Sequence, residues 1–380
     1  MNRLLKIGIS SFSLALLIVA CTEKPSTNTS EDQNQTQKVN YTPELYFDGV
    51  TIPWGMTWLP NGDMLITDRS GKLLRVRDGE LLAEISGVPE VYSRGQGGLL
   101  DIILHPEYDS NGWIYITYSS TQGMEDGANT AIMRAKLEDN ALVQSQVLYK
   151  ASPNSTRGQH FGSRIAFDGD GYLYFSVGDR GNRDVNPQDL SRDGGKVYRL
   201  NDDGSIPSDN PFVDQEGAID AVYSYGHRNP QGMATHPETG KIWAHEHGPR
   251  GGDELNYIEP GKNYGWPVIS YGINYNGTSF TDKTEMEGME QPKTYWDPSI
   301  APSGLDFVTS DTYPDWKGKA IVGSLKFNYL VIVDLDGTEV SNKNIVLEGI
   351  GRVRNVRQAP DGYIYVGVDG EGIYRIIKEE

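Results

Sequence analysis

The sequence has one cysteine, fewer basic than acidic residues and no long apolar run, and each shortage excludes a class of protein. With Cys21 alone no intramolecular disulfide can form, so packing or bound metal must stabilise the fold. The formal net charge of -18 repels phosphate backbones and anionic membrane surfaces, so we expect no nucleic-acid partner. The apolar run Ile7–Ala20 is too short for a comfortable membrane span.

Motifs of several catalytic classes are also missing. The chain has no G-x-x-x-x-G-K-[ST] phosphate loop, no strand-borne G-x-G-x-x-G and no G-x-S-x-G turn, which disfavours ATP and nicotinamide chemistry. Zinc has weak support because H-E-x-x-H is absent. His245 and His247 would share one face of a strand, but no third ligand is evident, so we interpret them as a polar strand lining.

The first 40 residues have the composition of a targeting segment and a tether. Residues 1–20 combine basic residues with an apolar run, as a secretory signal peptide does. Branched and small residues then precede Cys21, which resembles the bacterial lipidation site and makes a buried thiol the weaker alternative. Residues 21–40 are polar and aperiodic, so we expect a flexible tether. These features predict an extracytoplasmic protein in a bacterial envelope, in contact with the membrane only through its lipid.

The rest of the chain, residues 41–380, predicts an all-β fold. Its many glycine, proline and tyrosine residues suit short strands and tight turns. Six segments repeat one pattern of an alternating apolar strand, a turn and a second apolar strand. The six segments begin at Trp54, Leu99, Ser163, Pro230, Pro302 and Val353.

Six such hairpins cannot each bury their own faces, so radial stacking as a six-bladed β-propeller is the expected arrangement. The segment PELYFDGV before Trp54 is strand-like and would close the ring by pairing with the last blade. A β-sandwich is the rival fold, but it does not predict six matching hairpins. Insertions at 178–210 and 253–292 exceed plain connections and would build the functional face.

Polar residues at the ends of these strands suggest a catalytic site. His160 is a candidate general base that Asp179 could orient. In a propeller the corresponding ends of different blades converge on one mouth. Four cations at such ends would then face one ligand, which suggests an anionic cofactor. These cations are Arg228, Lys326, Arg352 and Arg354.

Several motifs, in order and across all six repeats, resemble one family. They are GQGGLLDIILHP, the His160 segment with GDRG, GHRNPQG, HGPRGGDE followed by NYGWP, SLK and RVRNV. Together they are similar to soluble sugar dehydrogenases that depend on pyrroloquinoline quinone (PQQ), specifically the shorter aldose sugar dehydrogenase branch. The resemblance covers nearly all of residues 41–380.

The resemblance implies PQQ and Ca²⁺ as cofactors. Lys326, Arg352 and Arg354 match cations that bind the carboxylates of PQQ, and Arg228 with Asn229 match groups beside its reactive oxygens. The backbone carbonyls of Gly248 and Pro249 match ligands of a bridging calcium ion. Glu254 and Tyr264 stand at the positions of a second, structural calcium.

The resemblance also implies a mechanism. His160 would remove the proton of the anomeric hydroxyl while the C1 hydride moves to the quinone, with Asp179 holding the His160 tautomer and Arg228 stabilising negative charge. Gln96 matches a sugar-contacting position. Trp296 is the expected ring-stacking residue, although its register differs from the family pattern by one residue.

An aldose would be oxidised to a lactone, and the electrons would pass to an external acceptor. Since insertions linked to dimers in longer family members are absent, we expect a monomer. Two alternatives stay open at this level. A calcium-dependent lactonase shares the fold but needs converging carboxylates and amides, and a carbohydrate-binding propeller would have lost the catalytic residues that this chain retains.

Overall fold

The protein forms a ring of six β-sheets, as the repeats predict. The computed structural model describes residues 41–379, so the signal peptide, the tether and Cys21 lie outside the described residues. Each sheet within the described range has four antiparallel strands, and the six sheets are the blades of a propeller. The predicted all-β, six-bladed fold is confirmed.

The strand bounds follow the predicted repeats. The chain enters through β1 (Tyr41–Phe47). Blade 1 contains β2 (Pro53–Trp58), β3 (Met64–Asp68), β4 (Lys72–Arg77) and β5 (Glu80–Glu84). Blade 2 contains β6 (Leu99–Leu104), the short helix α1 (Tyr108–Asn111), β7 (Trp113–Ser120), β8 (Asn129–Glu138) and β9 (Ala141–Lys150). Blade 3 contains β10 (Ile165–Phe167), β11 (Leu173–Val177), β12 (Lys196–Leu200) and β13 (Val222–Tyr225).

The second half of the ring repeats this order. Blade 4 contains β14 (Pro230–Thr235), β15 (Ile242–Glu246), β16 (Asp253–Tyr257) and β17 (Thr294–Trp296). Blade 5 contains β18 (Pro302–Phe307), β19 (Ala320–Ser324), β20 (Leu330–Asp336) and β21 (Glu339–Val346). Blade 6 contains β22 (Val353–Gln358), β23 (Ile364–Val368) and β24 (Gly372–Lys378).

The ring closes because the first and last strands of the described chain pair with each other. Strand β1 pairs antiparallel with β24, from Tyr41 opposite Lys378 to Phe47 opposite Ile373. It is the outermost strand of blade 6, so that blade joins residues from both ends of the fold. This pairing confirms the predicted closure and covers the outer edge of β24.

The core lies between neighbouring blades. Second strands such as β11, β19 and β23 are buried along their whole length because a blade packs on each face. Their Val, Ile, Leu and aromatic side chains suit a sheet buried on both faces. One cluster, for example, packs Tyr313 and Ile332 of blade 5 against Val366 of blade 6.

The topology places two sets of loops on one face of the ring. The first strand of each blade begins at this face and the second strand ends there, so the residues flanking both strands meet around the central channel. The only helix in residues 41–379 has four residues, and no helix there is long enough to cross a membrane.

The long insertion between β16 and β17 also reaches this face. It runs beside β13 of blade 3, where Tyr264 N donates to Tyr225 O at 2.8 Å and Trp266 N donates to Gly226 O at 2.9 Å. The segment then pairs through Ile273 with Arg250, and its Tyr275 lines a cavity on this face before the chain returns to β17. The insertion therefore contributes side chains to the functional face, as expected.

Candidate active site

His160 lies in the loop that precedes β10, in the left-handed backbone region with φ of 59°. Its Nδ1 is 2.7 Å from Asp179 Oδ1, and its backbone N–H donates to Gln96 Oε1 at 2.8 Å. The structure thus brings together His160, Asp179 and Gln96, which are far apart in sequence. His160 precedes the first strand of blade 3 and Asp179 follows its second strand, whereas Gln96 lies in the loop before blade 2, so a single β-hairpin turn could not supply this arrangement.

The charge states of Asp179 and His160 determine which nitrogen of His160 is basic. Burial alone would raise the pKa of Asp179, but the hydrogen bond from His160 and nearby positive charge outweigh it and lower that pKa. Burial lowers the pKa of His160, and Arg228 lowers it further, while Asp179 opposes both. Asp179 is therefore an anion that accepts from Nδ1–H, which leaves Nε2 of a neutral His160 as the basic nitrogen.

Asp179 is itself fixed by further donors. Its Oδ2 accepts from Trp266 Nε1 at 2.9 Å, and its Oδ1 also accepts from Gly181 N at 2.7 Å. Trp266 belongs to the insertion of blade 4, so this bond ties the insertion to the His160–Asp179 pair. Only 1% of the Asp179 side chain is exposed.

Arg180 holds the loop that carries His160. Its guanidinium is buried, lies 3.5 Å from the centroid of the Phe161 ring and donates to the carbonyls of Ala128, Arg157 and Gln159. These three acceptors surround the segment before His160. A charged anchor thus adds to the backbone bonds of Ser155 with Ala128 in fixing this loop.

Arg228 and Asn229 lie close to the His160–Asp179 pair. Both backbone N–H groups donate to Glu246 Oε2, and Asn229 Oδ1 accepts from Gly162 N at 3.1 Å. The Arg228 guanidinium donates to His247 O at 3.1 Å and lies 5.3 Å from the centroid of the Trp266 ring. Its charge is close enough to lower the pKa of His160.

Two of the other predicted cations surround a cavity of about 250 Å³ at the mouth of the channel. Arg352 and Arg354 both pair with Asp369, at 3.2 Å and 2.7 Å. Gln96 and Asn229 line the same cavity. Lys326 lines an adjoining cavity of about 620 Å³, and the two cavities share His247 and Ala301.

A further cation was missed from sequence. Arg69 lines the smaller cavity, and its pKa is lowered by burial and then by the neighbouring charge of Arg354. Both Arg69 and the acceptor Asp369 follow the second strand of their blades, as Asp179 and Arg180 do in blade 3. Aligning the six repeats at the turn after the second strand is the signal that identifies Arg69 and Asp369.

The residues expected to bind calcium fall into two groups. Gly248 and Pro249 line the larger cavity, and Gly248 N donates to Asp253 Oδ1 at 2.8 Å. Burial raises the pKa of Asp253 to about 6. Within residues 41–379, no three side chains of His, Cys, Asp or Glu are arranged to hold a metal ion. Any cation at this turn would therefore depend on backbone carbonyls.

Glu254 and Tyr264, the two residues predicted for the second calcium, contact different neighbours. Glu254 is half-buried beside the buried Glu246, and Asn256 Nδ2 donates to both carboxylates at 3.2 Å and 3.3 Å. Burial and the charge of Glu246 raise the pKa of Glu254. The Tyr264 hydroxyl instead donates to Tyr257 O, and its ring stacks on His227 at 4.6 Å.

Trp296 is not available as a sugar platform, which corrects the expectation from sequence. Its side chain is 8% exposed and packs in the core between blades 4 and 5, with Leu255 and Phe307 in the same cluster. The neighbouring residues Asp297 and Ser299 line the larger cavity instead. A strand alternates its faces, so a shift of one residue turns a side chain from the site into the core.

The two histidines considered as zinc ligands, His245 and His247, form hydrogen bonds to backbone carbonyls of the next blade. His245 Nε2 bonds Gly304 O at 2.9 Å, and His247 Nε2 bonds Pro302 O at 2.8 Å. Burial lowers the pKa of both, so both are neutral donors to carbonyls at physiological pH. Their hydrogen bonds join blade 4 to blade 5.

Comparison with known proteins decides the family. The model of the glucose/sorbosone dehydrogenase family matches residues 50–377. The chain belongs to the glucose/sorbosone dehydrogenase family.

Relatives in this glucose/sorbosone dehydrogenase family match over most of their length. Aldose sugar dehydrogenase YliI of Escherichia coli is 42% identical over 86% of this chain and 89% of its own. The apo-form crystal structure of soluble aldose sugar dehydrogenase from Escherichia coli has a TM-score of 0.86 at 39% identity, covering 89% of this chain and 99% of that one. The PQQ-bound aldose sugar dehydrogenase of Streptomyces coelicolor has a TM-score of 0.72 at 29% identity, covering 89% and 98%.

Proposed function

We propose that this protein oxidises aldose sugars at C1 to lactones with PQQ as cofactor and passes the electrons to an external acceptor. One observation carries the proposal: a neutral, carboxylate-oriented His160 lies beside a mouth lined by several cations in a strongly acidic protein. A general base next to an anion-binding pocket suits oxidation of a hydroxyl group by an anionic cofactor.

The residues at the mouth fit PQQ, which is a flat tricarboxylate. Arg69, Arg352 and Arg354 line one cavity and Lys326 lines the next, so cations surround a continuous opening. Asp369 pairs with both Arg352 and Arg354, and Arg352 Nη1 also donates to Leu325 O at 2.8 Å, which leaves the other guanidinium N–H groups for further acceptors. The PQQ-bound relative from Streptomyces coelicolor supports the assignment.

The chain's own residues would prepare the sugar. His160 Nε2 would take the proton of the anomeric hydroxyl, with Asp179 holding the proton on Nδ1. Gln96 Oε1 already accepts from His160 N, so the Gln96 amide N–H groups are oriented for a sugar hydroxyl. Arg228 and Asn229 would bind the reactive oxygens of the cofactor. Bound PQQ would supply the acceptor for the C1 hydride.

Calcium is the second proposed cofactor. The Gly248 and Pro249 carbonyls are hard oxygen donors beside buried Asp253, which suits a cation with few side-chain ligands. At the second position, Asn256 donates from Nδ2 to Glu254 and Glu246, while its Oδ1 is buried without a partner. An oxygen left unsatisfied beside two carboxylates supports a cation there.

The other proposals concern the cellular setting. We propose a lipid anchor on Cys21, an extracytoplasmic location and a monomeric protein. Of the two functional alternatives, a lactonase has less support because cations rather than carboxylates surround the smaller cavity. A decayed binding propeller has less support because His160, Asp179 and Arg228 form a complete site.

Reconstitution of purified apo-protein tests the proposed function. We expect dye-linked aldose oxidation only after PQQ and Ca²⁺ are added together, and little activity with either alone. EDTA treatment before PQQ addition serves as the control for calcium. Absence of both activity and any spectral change of PQQ on mixing would exclude the dehydrogenase function.

A further inference from the structure

Tyr275 is an exposed aromatic ring at the rim of the larger cavity. Its side chain is 73% exposed, and it lines the cavity together with Pro249, Ser299 and Lys326. A large ring this accessible is unusual in a protein whose other tyrosines are mostly packed. The burial of Trp296 leaves the site without the ring-stacking residue that the sequence predicted.

A rigid turn presents the Tyr275 ring. Arg250 and Ile273 exchange backbone hydrogen bonds at 3.0 Å and 2.9 Å, which fixes the base of the turn. Gly277, with φ of 86°, donates its N–H to Asn274 O at 2.8 Å and closes the tip. Arg183 Nη1 donates to Asn274 Oδ1 at 2.8 Å, which ties the turn to the loop of blade 3. The ring therefore projects from a preorganised support.

The Tyr275 hydroxyl points toward the reacting end of the site. It accepts from Arg228 Nη2 at 3.4 Å. Arg228 is one of two arginines whose charge lowers the pKa of His160, so Tyr275 contacts a residue that lies close to His160. Because the Tyr275 hydroxyl is hydrogen-bonded to Arg228, the exposed face of the ring is the part of Tyr275 that can contact a ligand.

Other exposed aromatic rings in the described part of the chain do not compete for this role. Tyr295 is 40% exposed, but its ring is stacked on Tyr271 at 3.9 Å. Phe327 is 41% exposed and stacks on Tyr329 at 5.8 Å. Neither ring lines the two cavities that hold the predicted site residues.

We infer that Tyr275 is the sugar platform of this site: its ring packs against the apolar C–H face of an aldose in pyranose form, whose anomeric hydroxyl faces His160. The inference rests on the proposed function. A flat ring recognises the C–H face of a six-membered sugar without reading individual hydroxyls, while Gln96 contacts them. Tyr275 would thus select for ring shape and tolerate different aldoses.

Substitution at Tyr275 separates the ring from the hydroxyl. With PQQ-loaded protein, Tyr275→Ala should raise the KM for aldoses roughly tenfold, and Tyr275→Phe should stay within about twofold of wild type, because the ring is retained. In calorimetry, a glucose analogue that lacks the anomeric hydroxyl should bind more weakly to Tyr275→Ala than to wild type, and about as tightly to Tyr275→Phe as to wild type. Affinity for PQQ, measured by quenching of tryptophan fluorescence, should be unchanged in both variants.

A matched control and three outcomes decide the inference. Tyr295→Ala removes an exposed tyrosine of the same blade that does not line the cavity, and its KM should equal that of wild type. Equal KM values for Tyr275→Ala and wild type would overturn the inference, as would an equal rise in Tyr295→Ala or a loss of PQQ affinity in Tyr275→Ala. If wild-type protein neither oxidises aldoses nor binds the analogue, the proposed function itself fails.

Discussion

At the scale of single residues, His160 is defined by contacts on both its backbone and its ring. Gln96 accepts from its N–H, Asp179 accepts from Nδ1, and Arg180 binds the carbonyls before it. A positive φ in a residue other than glycine has an energetic cost, which these contacts offset. The neighbours therefore determine both the position and the tautomer of the base.

The Asp179–His160 pair predicts a specific change in pH dependence. Burial holds the pKa of His160 below its ordinary value of 6.5, and Asp179 opposes that shift. Because protonated His160 cannot act as a base, activity should fall as pH drops through this lowered pKa. Asp179→Asn removes the opposing carboxylate, so the acid limb should move to lower pH and kcat should fall about 100-fold or more.

The pH profile of kcat/KM, measured with PQQ-loaded protein, checks this prediction. Asp168→Asn is the matched control, because Asp168 caps a turn of the same blade by accepting from Asp170 N and Tyr172 N. Its pH profile should match wild type. An acid limb that moves to higher pH in Asp179→Asn would contradict the proposed role.

At the scale of elements, Tyr41 of the closing strand β1 packs its ring against two aromatic residues of the neighbouring blade. Tyr41 is 6% exposed, and its ring lies 4.5 Å from Trp316 and 5.2 Å from Tyr313. Both partners belong to blade 5, so β1 also joins two blades. Leu45 on the same strand is 51% exposed and lacks such packing.

This contrast gives a stability prediction. Tyr41→Ala should lower the free energy of unfolding by about 3 kcal/mol, because a buried ring is removed and a cavity is left. Leu45→Ala should change it by less than about 1 kcal/mol. Chemical denaturation monitored by circular dichroism measures both. Similar losses in the two variants would show that β1 contributes through backbone pairing alone.

The insertion between β16 and β17 shows why the course of a long connecting segment is harder to predict than the strands that it connects. Its length indicated a functional role, but its course beside blade 3 depends on backbone bonds such as Trp266 N to Gly226 O. Nothing in local composition specifies such a tertiary contact. The bond from Trp266 Nε1 to Asp179 and the position of Tyr275 were therefore not foreseen.

At the scale of the whole molecule, the six blades and their closure could be predicted because two-residue alternation and turn residues mark each hairpin. Asp179 and Arg228 could be placed near His160 because propeller topology brings equivalent strand ends together, whereas Gln96 followed only from the family resemblance. Trp296 failed because a register difference of one residue reverses the face of a strand. Arg69 was missed because a single arginine in a turn is unremarkable until six blades place it beside Arg354.

The ring also explains how an acidic protein can bind an anionic cofactor. Its net charge of -18 is distributed over the chain, whereas Arg69, Arg352 and Arg354 converge at one mouth. Local positive potential can exceed the distant negative charge because solvent screens charges beyond about 10 Å. The blades thus create a binding environment that the average composition conceals.

Reduction of bound PQQ by an aldose, followed by absorbance in a single turnover, tests the central claim most directly. Wild-type protein should bind PQQ and the quinone absorbance should bleach when an aldose is added. His160→Ala should bind PQQ with similar affinity but reduce it at least about 100-fold more slowly, because the base is lost. Equal rates in the two proteins, or no PQQ binding by wild type, would contradict the assignment of this mouth as a quinone-dependent active site.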